Sequence, residues 1–306
     1  MTGKIYLIMS CDKLKNFPHV FYFTLDNEVK RQKYMEEQFR FYGITFTKIS
    51  MPLGFPEYLK EKILDVHSKL ASKRCLAYNY FLIDTLRNWY FETNESYVIL
   101  MEDDYDLSFI NHWHFSWDEL LTYLPYDWDS IQLGHECPDI VRFYLHPVQS
   151  NYSLGPVLLK REHVEKLLNL FYINGRYKFN GVVANSIYIN RESGIGDNYF
   201  FNDLAGTPDY FLCQTGNTYT VPLIPCNPFF KGSTHVTEWY PMKSFICCYE
   251  AYKEWWENDK DNFSLNDFFS FGKSNDNLME RDIRRWDDKY FHQRAIEQHN
   301  KVISTL

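Results

Sequence analysis

Short apolar runs alternate with helically spaced apolar residues along most of the first 225 residues of the chain. Apolar runs of about four to eight residues are typical of strands buried on both faces, and apolar residues at every third or fourth position predict helices that pack on them. The predicted strands cover residues 19–25, 44–49, 97–101, 129–133, 152–159 and 218–224, with 4–9 as a candidate edge strand. The predicted helices cover about 28–42, 57–70, 72–91, 117–124 and 161–172. This alternation predicts an α/β fold with a mostly parallel sheet flanked by helices.

The first strand–helix–strand unit shows this pattern most clearly. Asp26 or Asn27 can cap the start of its helix, and Gly43 stands where the C-terminal glycine of a helix belongs. The crossover rule for such units makes the two flanking strands parallel.

The most informative segment is 97–106, in which five apolar residues run into Glu102, Asp103, Asp104 and, after Tyr105, Asp106. Adjacent carboxylates at the end of a buried strand repel one another unless a positive group offsets them or the strand opens into solvent. Ligands of open α/β sheets bind outside the carboxyl ends of the strands. Clustered oxygen ligands suit Mg²⁺ or Mn²⁺, which in turn bind phosphates. The segment predicts a metal site for a phosphate-containing substrate, with a polar turn after a strand as the alternative.

Composition and charge narrow the classes of partner. The chain has 306 residues, enough for one large α/β domain or two smaller ones, with 32 basic and 40 acidic residues for a net charge of −8. No basic face of the kind that binds nucleic acid is evident in this sequence. Aromatic residues make up 19% of the chain. Most single rings of this kind belong to a core, but they also suit sugar binding, because the C–H face of a sugar stacks on them.

From about Trp239 the sequence becomes charged, rich in Trp and helical in pattern, through Met279 and Ile283. We therefore expect a domain over 1–238 and a helical appendage over 239–306 that packs on the domain, covers the acceptor site or forms a homodimer contact. No secretory leader and no apolar run long enough for a membrane span is evident. A cytoplasmic protein is expected, with a place at a membrane surface or in the cytoplasm of a virus-infected host as alternatives.

Several segments in order resemble glycosyltransferase family 25, the lipooligosaccharide and procollagen β-galactosyltransferases. The family has a strand, a charged helix with an Arg and a Met, a second strand, a Cys-containing helix, a strand ending in Glu-Asp-Asp, a strand ending in Gly, and a further strand and helix. The matching segments here are 21–25, 29–39, 44–49, the helix around Cys75, 97–104, 129–134 and 153–168. The chain departs from the family at Arg74, where a Gly is usual, and at Tyr78-Asn79, where a Ser-His pair is usual.

The resemblance implies a GT-A fold, in which a Rossmann-like sheet binds a nucleotide sugar at its carboxyl edge. Glu102 and Asp103 are then expected to contact the ribose or the donor sugar. Thr24 and Leu25 at the end of the first strand are assigned to donor binding. Arg31 is expected to reach the phosphates, with an exposed helix arginine as the alternative.

The resemblance also implies a divalent metal, Mn²⁺ or Mg²⁺, that bridges the diphosphate. Asp104 is the expected ligand, and Asp106 is either a further member of the metal site or a plain turn acid. His235, in a Lys-Gly-Ser-Thr-His segment, is a candidate ligand from near the end of the domain, because a neutral imidazole binds Mn²⁺. Its alternative is a histidine on a surface loop.

An inverting transferase needs a general base beside the acceptor hydroxyl. Asp197 is the candidate, in a region where the family carries an Asp, and its alternative role is to cap the helix that follows. Asp203 and Glu238 are the next candidates.

The sequence thus predicts an inverting, metal-dependent glycosyltransferase. It would move a hexose, galactose or glucose, from a UDP-sugar to a hydroxyl of a glycan, a lipid-linked glycan or a protein. The alternatives are a metal-dependent phosphohydrolase or nucleotidyltransferase, and a catalytically inactive glycan-binding protein of the same fold.

Overall fold

The computed structural model describes residues 12–64, 73–134, 140–147, 155–179, 212–213, 215–228, 239–269 and 279–283. The strands of a central sheet are β1 (Val20–Leu25), β2 (Phe46–Met51), β3 (Tyr97–Glu102), β4 (Ser130–Gln132), β6 (His146–Pro147), β7 (Val157–Lys160) and β10 (Thr218–Thr220). Two further pairs are β5 (Ile140–Arg142) with β11 (Glu280–Asp282) and β8 (Tyr172–Ile173) with β9 (Arg176–Tyr177). The predicted edge strand at 4–9 lies outside the described residues.

The central sheet has the strand order β2-β1-β3-β7-β4-β10-β6 in the described part of the chain. Strand β1 is parallel to β2 and to β3, and β10 is parallel to β4. Strand β7 is antiparallel to both of its neighbours, β3 and β4, and β6 is antiparallel to β10. The predicted α/β fold with a mostly parallel sheet is confirmed.

Helices cover both faces of this sheet. They are α1 (Val29–Tyr42), α2 (Leu59–Lys62), α3 (Lys73–Glu92), α4 (Trp117–Tyr123), α5 (Arg161–Phe171), α6 (Trp239–Glu254) and α7 (Leu265–Phe269), with 3₁₀ turns at Leu107–His112 and Lys260–Asn262 and a π-helical turn at Trp255–Asp259. No helix in the described residues combines the length and the apolar character that crossing a bilayer requires.

Strand β3 shows why the central strands appear in the sequence as unbroken apolar runs. Successive side chains of a strand point to opposite faces of a sheet. Ile99 and Met101 pack in the hydrophobic cluster that contains the inner face of α1, whereas Val98 and Leu100 pack in the cluster formed with α3 and α5. Because both faces are covered, the buried positions 98–101 of the strand are all apolar.

The capping residues in the sequence predict some helix ends correctly and others wrongly. Gly43 ends α1 in the left-handed region, with φ of 66°, as expected. The prediction that Asp26 or Asn27 caps α1 is wrong, because the Glu28 N–H donates to the Leu25 carbonyl and forms a turn before the helix begins at Val29. The predicted helix 57–70 is α2 alone within the described residues, and Ile63 after it is extended and bridges to Tyr177.

The segment after Trp239 packs into the same hydrophobic cluster as β1, β3 and α1. Trp255 and Trp256 are fully buried, and the Trp256 indole N–H donates to the Pro222 carbonyl at 3.0 Å. The helical interpretation of 279–283 is wrong, because β11 pairs with β5 there, so its backbone bonds to a neighbouring strand instead of to the next turn of a helix. Of the three expected arrangements, the described residues show packing on the domain. The boundary at 238 stays a prediction.

Acid is expected to destabilise the protein through His146 on β6. Burial lowers the pKa of His146 from its ordinary 6.5 to about 4, although the hydrogen bond between Nδ1 and the Tyr144 carbonyl works in the opposite direction. Between pH 6.5 and 4 the unfolded chain therefore binds a proton that the folded chain does not, so stability falls as the pH falls, by up to roughly 3 kcal/mol. Urea unfolding of the wild type and His146→Gln at several pH values measures this loss. An equally steep loss in the variant would show that another group causes it.

Candidate functional site

The candidate site lies where the strand order of the sheet reverses. From β1 the chain crosses through α1 to β2 on one side, and β3 later pairs with β1 on the other side. At such a switch point the carboxyl ends of two adjacent strands open a crevice in which ligands bind. The crevice, here called the acidic cleft, is lined by Phe23, Thr24, Leu25, Glu28, Arg31, Met51, Pro52, Gly54, Arg74, Ala77, Tyr78, Phe81, Glu102, Asp103 and Asp104.

Asp103 is the buried anchor of the acidic cleft. The Thr24 hydroxyl donates to its Oδ2 at 2.5 Å, and Arg31 Nη1 donates to its Oδ1 at 2.9 Å. Both carboxylate oxygens are therefore engaged by protein donors, and the residue is only 6% exposed. Asp103 joins β3 to β1 and to α1, and its expected contact with a donor sugar stays a prediction.

Arg31 supplies the positive charge that the run of acids requires. It lies on the inner face of α1 with Met35 and Phe39, and it is buried, which rules out the exposed helix arginine. Its Nη1 also contacts Asp104 Oδ2 at 3.4 Å. Burial by itself lowers the pKa of Arg31, but Asp104 and Asp103 outweigh that effect, so the pKa is raised and the side chain stays charged.

Glu102 belongs to the aromatic wall of the acidic cleft. The Tyr78 hydroxyl donates to Glu102 Oε1 at 2.7 Å, and the Tyr78 ring lies edge-on to Phe23 with 5.7 Å between ring centroids. Phe81 lies one turn further along α3 and lines the same wall. The wall thus combines a carboxylate with ring faces, which is a suitable surface for a sugar.

The backbone that carries Asp104 is held from several sides. The Asp104 carbonyl accepts from the Asn227 N–H at 2.5 Å, and the Tyr105 carbonyl accepts from the Gln38 side chain at 3.0 Å. On the remaining side Gly155 approaches so closely that an added Cβ would lie 2.9 Å from the Tyr105 ring. The turn after β3 is therefore fixed by three distant segments.

Asp106 lies outside the lining of the acidic cleft. Its Oδ1 accepts from the Ser108 N–H at 2.9 Å and caps the 3₁₀ turn, while its Oδ2 accepts from the Tyr249 hydroxyl on α6 at 2.7 Å. This is a structural role that links the turn to the C-terminal helix. The assignment of Asp106 to a metal site stays a prediction.

The structure brings together six of the nine predicted site residues, which are Thr24, Leu25, Arg31, Glu102, Asp103 and Asp104. Asp197 and His235 lie outside the described residues, so their roles as base and ligand stay predictions.

The sequence analysis did not assign Glu28, Arg74, Tyr78 or Phe81 to the site, although all four line the cleft. Three of these lie on α3 at positions i, i+4 and i+7, which is one helical face. This face of mixed polar and aromatic residues was a signal that could have located the second wall.

The acidic cleft supplies only part of the ligand set of a divalent metal. Within the described ranges, no three His, Cys, Asp or Glu side chains converge into a complete ligand set. Magnesium and metals like it commonly take one or two carboxylates, with water and substrate phosphates as the other ligands. Asp104, with a side chain 16% exposed in the acidic cleft, fits such a site, in which the substrate completes the coordination.

No protein-family model and no curated protein matches the sequence. Among solved structures, the chain is similar to the crystal structure of A197 from STIV, with a TM-score of 0.34 and 10% identity over 68% of this chain and 84% of that chain. A similarity of this size carries no argument about fold or function.

Proposed function

We propose that this protein is an inverting, metal-dependent glycosyltransferase that moves a hexose, galactose or glucose, from a UDP-sugar to an acceptor hydroxyl. The observation that carries the proposal is the meeting of Glu102, Asp104 and the buried Arg31 at the switch point of the sheet. A nucleotide sugar presents a diphosphate and two sugar rings, and the acidic cleft offers cations, carboxylates and ring faces within one crevice.

Each wall of the acidic cleft suits one part of such a donor. Arg31 and Arg74 can pair with the diphosphate, since guanidinium groups match phosphate oxygens in charge and shape. Glu102 can accept hydrogen bonds from hydroxyls of the ribose or of the transferred sugar, beside the ring of Tyr78. Asp104 would hold the divalent metal, which would neutralise charge on the leaving diphosphate.

A phosphohydrolase or nucleotidyltransferase is supported less well by the same geometry. Such sites normally draw acids from several neighbouring strands. The strand beside β3 ends in Thr24 and Leu25, which offer a hydroxyl and a backbone carbonyl instead. The Leu25 carbonyl already accepts from the Gln32 side chain at 2.8 Å.

Release of UDP from a panel of UDP-sugars, with Mn²⁺ and with EDTA, tests the proposed function. We expect metal-dependent release from one donor, reduced on the order of a hundredfold in Asp104→Asn because the metal loses its protein carboxylate. Asp26→Asn is the matched control, since Asp26 is an exposed acid at the end of the adjacent strand and does not line the cleft.

The outcomes separate the three functional classes. Phosphate release without sugar transfer would favour a phosphohydrolase. Absence of turnover with every donor, together with glycan binding that is the same in Asp104→Asn, would favour the inactive glycan-binding protein.

A further inference from the structure

The place of a cation between the carboxylates of the acidic cleft is filled by a side chain of the protein itself. Arg31 Nη1 lies 2.9 Å from Asp103 Oδ1 and 3.4 Å from Asp104 Oδ2. Its guanidinium is closely surrounded, since the side chains of Arg31 and Asp103 are each 8% exposed. A divalent metal that binds Asp104 must therefore share this carboxylate with the Arg31 guanidinium.

Sharing the Asp104 carboxylate with Arg31 is unfavourable for a metal that binds without a nucleotide. Like charges a few ångströms apart repel strongly where little water screens them. Asp103 cannot relieve the repulsion, because its two oxygens are engaged by Thr24 and Arg31. Metal binding without another anion would thus place two cations beside the single carboxylate of Asp104, in a largely buried place.

A nucleoside diphosphate changes this balance. Its phosphate oxygens can accept from the guanidinium and bind the metal at the same time, so that one anion lies between the two cations. The Arg31 guanidinium then pairs with the phosphates instead of with Asp104, and the Asp104 carboxylate can bind the metal.

The surroundings of Arg31 allow such a change of partner. The α1 backbone is fixed by the buried Met35 and Phe39, so the movement is confined to the end of the Arg31 side chain. Glu28, one turn earlier, also lines the acidic cleft, and its Oε2 lies 4.0 Å from Arg31 Nε with a side chain that is 31% exposed. It offers Arg31 an anionic neighbour closer to solvent.

We propose that Arg31 is a positioning residue that makes divalent-metal binding depend on a nucleoside diphosphate. In the absence of nucleotide Arg31 occupies the cation position beside Asp104, and the diphosphate draws it away as the metal enters. The inference rests on the nucleotide site of the proposed function, and it deepens that function by setting the order in which the ligands bind.

Binding of Mn²⁺ to the wild-type chain, followed by electron paramagnetic resonance of the free ion, tests this coupling. We expect UDP to tighten Mn²⁺ binding by roughly 5- to 150-fold, the usual range of coupling between two sites, and Mn²⁺ to tighten UDP binding by the same factor. Uridine, which lacks the diphosphate, should have no effect. Chelation of Mn²⁺ by UDP itself is subtracted with a protein-free titration. Equal Mn²⁺ affinity with and without UDP would overturn the proposal.

The variant Arg31→Gln tests whether Arg31 causes the coupling between UDP and Mn²⁺. Arg31→Gln is expected to bind Mn²⁺ more tightly than the wild type without nucleotide, and to lose most of the tightening by UDP. Arg40→Gln on the same helix is the matched control, since the Arg40 side chain is 62% exposed and pairs with Glu36 on the outer face of that helix. Full coupling in Arg31→Gln would contradict the proposal. If that variant does not fold, equal Mn²⁺ affinity of the wild type with and without UDP still contradicts the proposal.

This experiment measures binding rather than turnover. Coupling without transfer from any UDP-sugar would overturn the proposed function and leave the role of Arg31 standing. Transfer without coupling would overturn the role of Arg31 alone.

Discussion

Replacement of Arg31 by methionine is expected to lower the free energy of unfolding by about 3 to 5 kcal/mol. The arginine is the buried cation beside Asp103 and Asp104, whose side chains are 8% and 16% exposed. Methionine keeps much of the volume and removes the charge, so two largely buried carboxylates remain without the cation beside them. Urea unfolding at neutral pH measures the loss.

Two comparisons separate this effect from the loss of packing. Arg40→Met removes an exposed helical ion pair with Glu36 and is expected to cost less than about 1 kcal/mol. Asp103→Asn in the Arg31→Met background removes one of the unpaired charges, so the double variant should lose less than the sum of the single losses. Equal losses for Arg31→Met and Arg40→Met would show that the buried cluster contributes little.

Replacement of Trp256 by alanine should also lower the free energy of unfolding by about 3 to 5 kcal/mol. The ring is fully buried between segments distant in sequence, with its centroid 5.5 Å from that of Phe268 and 6.4 Å from that of Phe115. The substitution opens a cavity and leaves the Pro222 carbonyl without the indole donor.

The number of steps in the unfolding curve of Trp256→Ala shows whether the C-terminal segment unfolds together with the sheet. If the C-terminal segment shares one core with the sheet, the whole transition should move to lower urea as a single step. Phe91→Ala, at a side chain 70% exposed, is the control and should have little effect. A separate early transition that leaves the rest unchanged would instead support an independent appendage.

Hydrophobic periodicity alone was sufficient to predict the central elements. The unbroken run at 97–101 indicated a strand covered on both faces, and β3 has its two sides in two hydrophobic clusters. The spacing of apolar residues along 72–91 predicted α3, with its C-terminal end within one residue of Glu92. These signals succeed because each depends on the face that a segment buries, which is a property of the local sequence.

The residues that pair with the acids could be identified only from the tertiary structure, with one exception. Arg31 and Asp103 are 72 residues apart in the sequence, and only the packing of α1 on β1 and β3 brings them into contact. The exception is the spacing of Arg31 with Met35 and Phe39, which places the arginine on the apolar face of α1. That spacing is a signal that could have indicated a buried arginine, which in turn requires a carboxylate partner; the sequence analysis left an exposed arginine as the alternative.

What the sequence by itself determined is therefore the α/β class, most of the central strands and helices, and the acids of the candidate site. The tertiary structure alone decided that Asp103 anchors the site, that Asp106 caps a turn and binds Tyr249, and that Tyr78 forms a wall of the acidic cleft. It also decided that the C-terminal Trp residues belong to the main core. The physical reason is that a strand or helix is encoded by contacts between near neighbours, whereas the role of a carboxylate depends on donors that the fold brings from far along the chain.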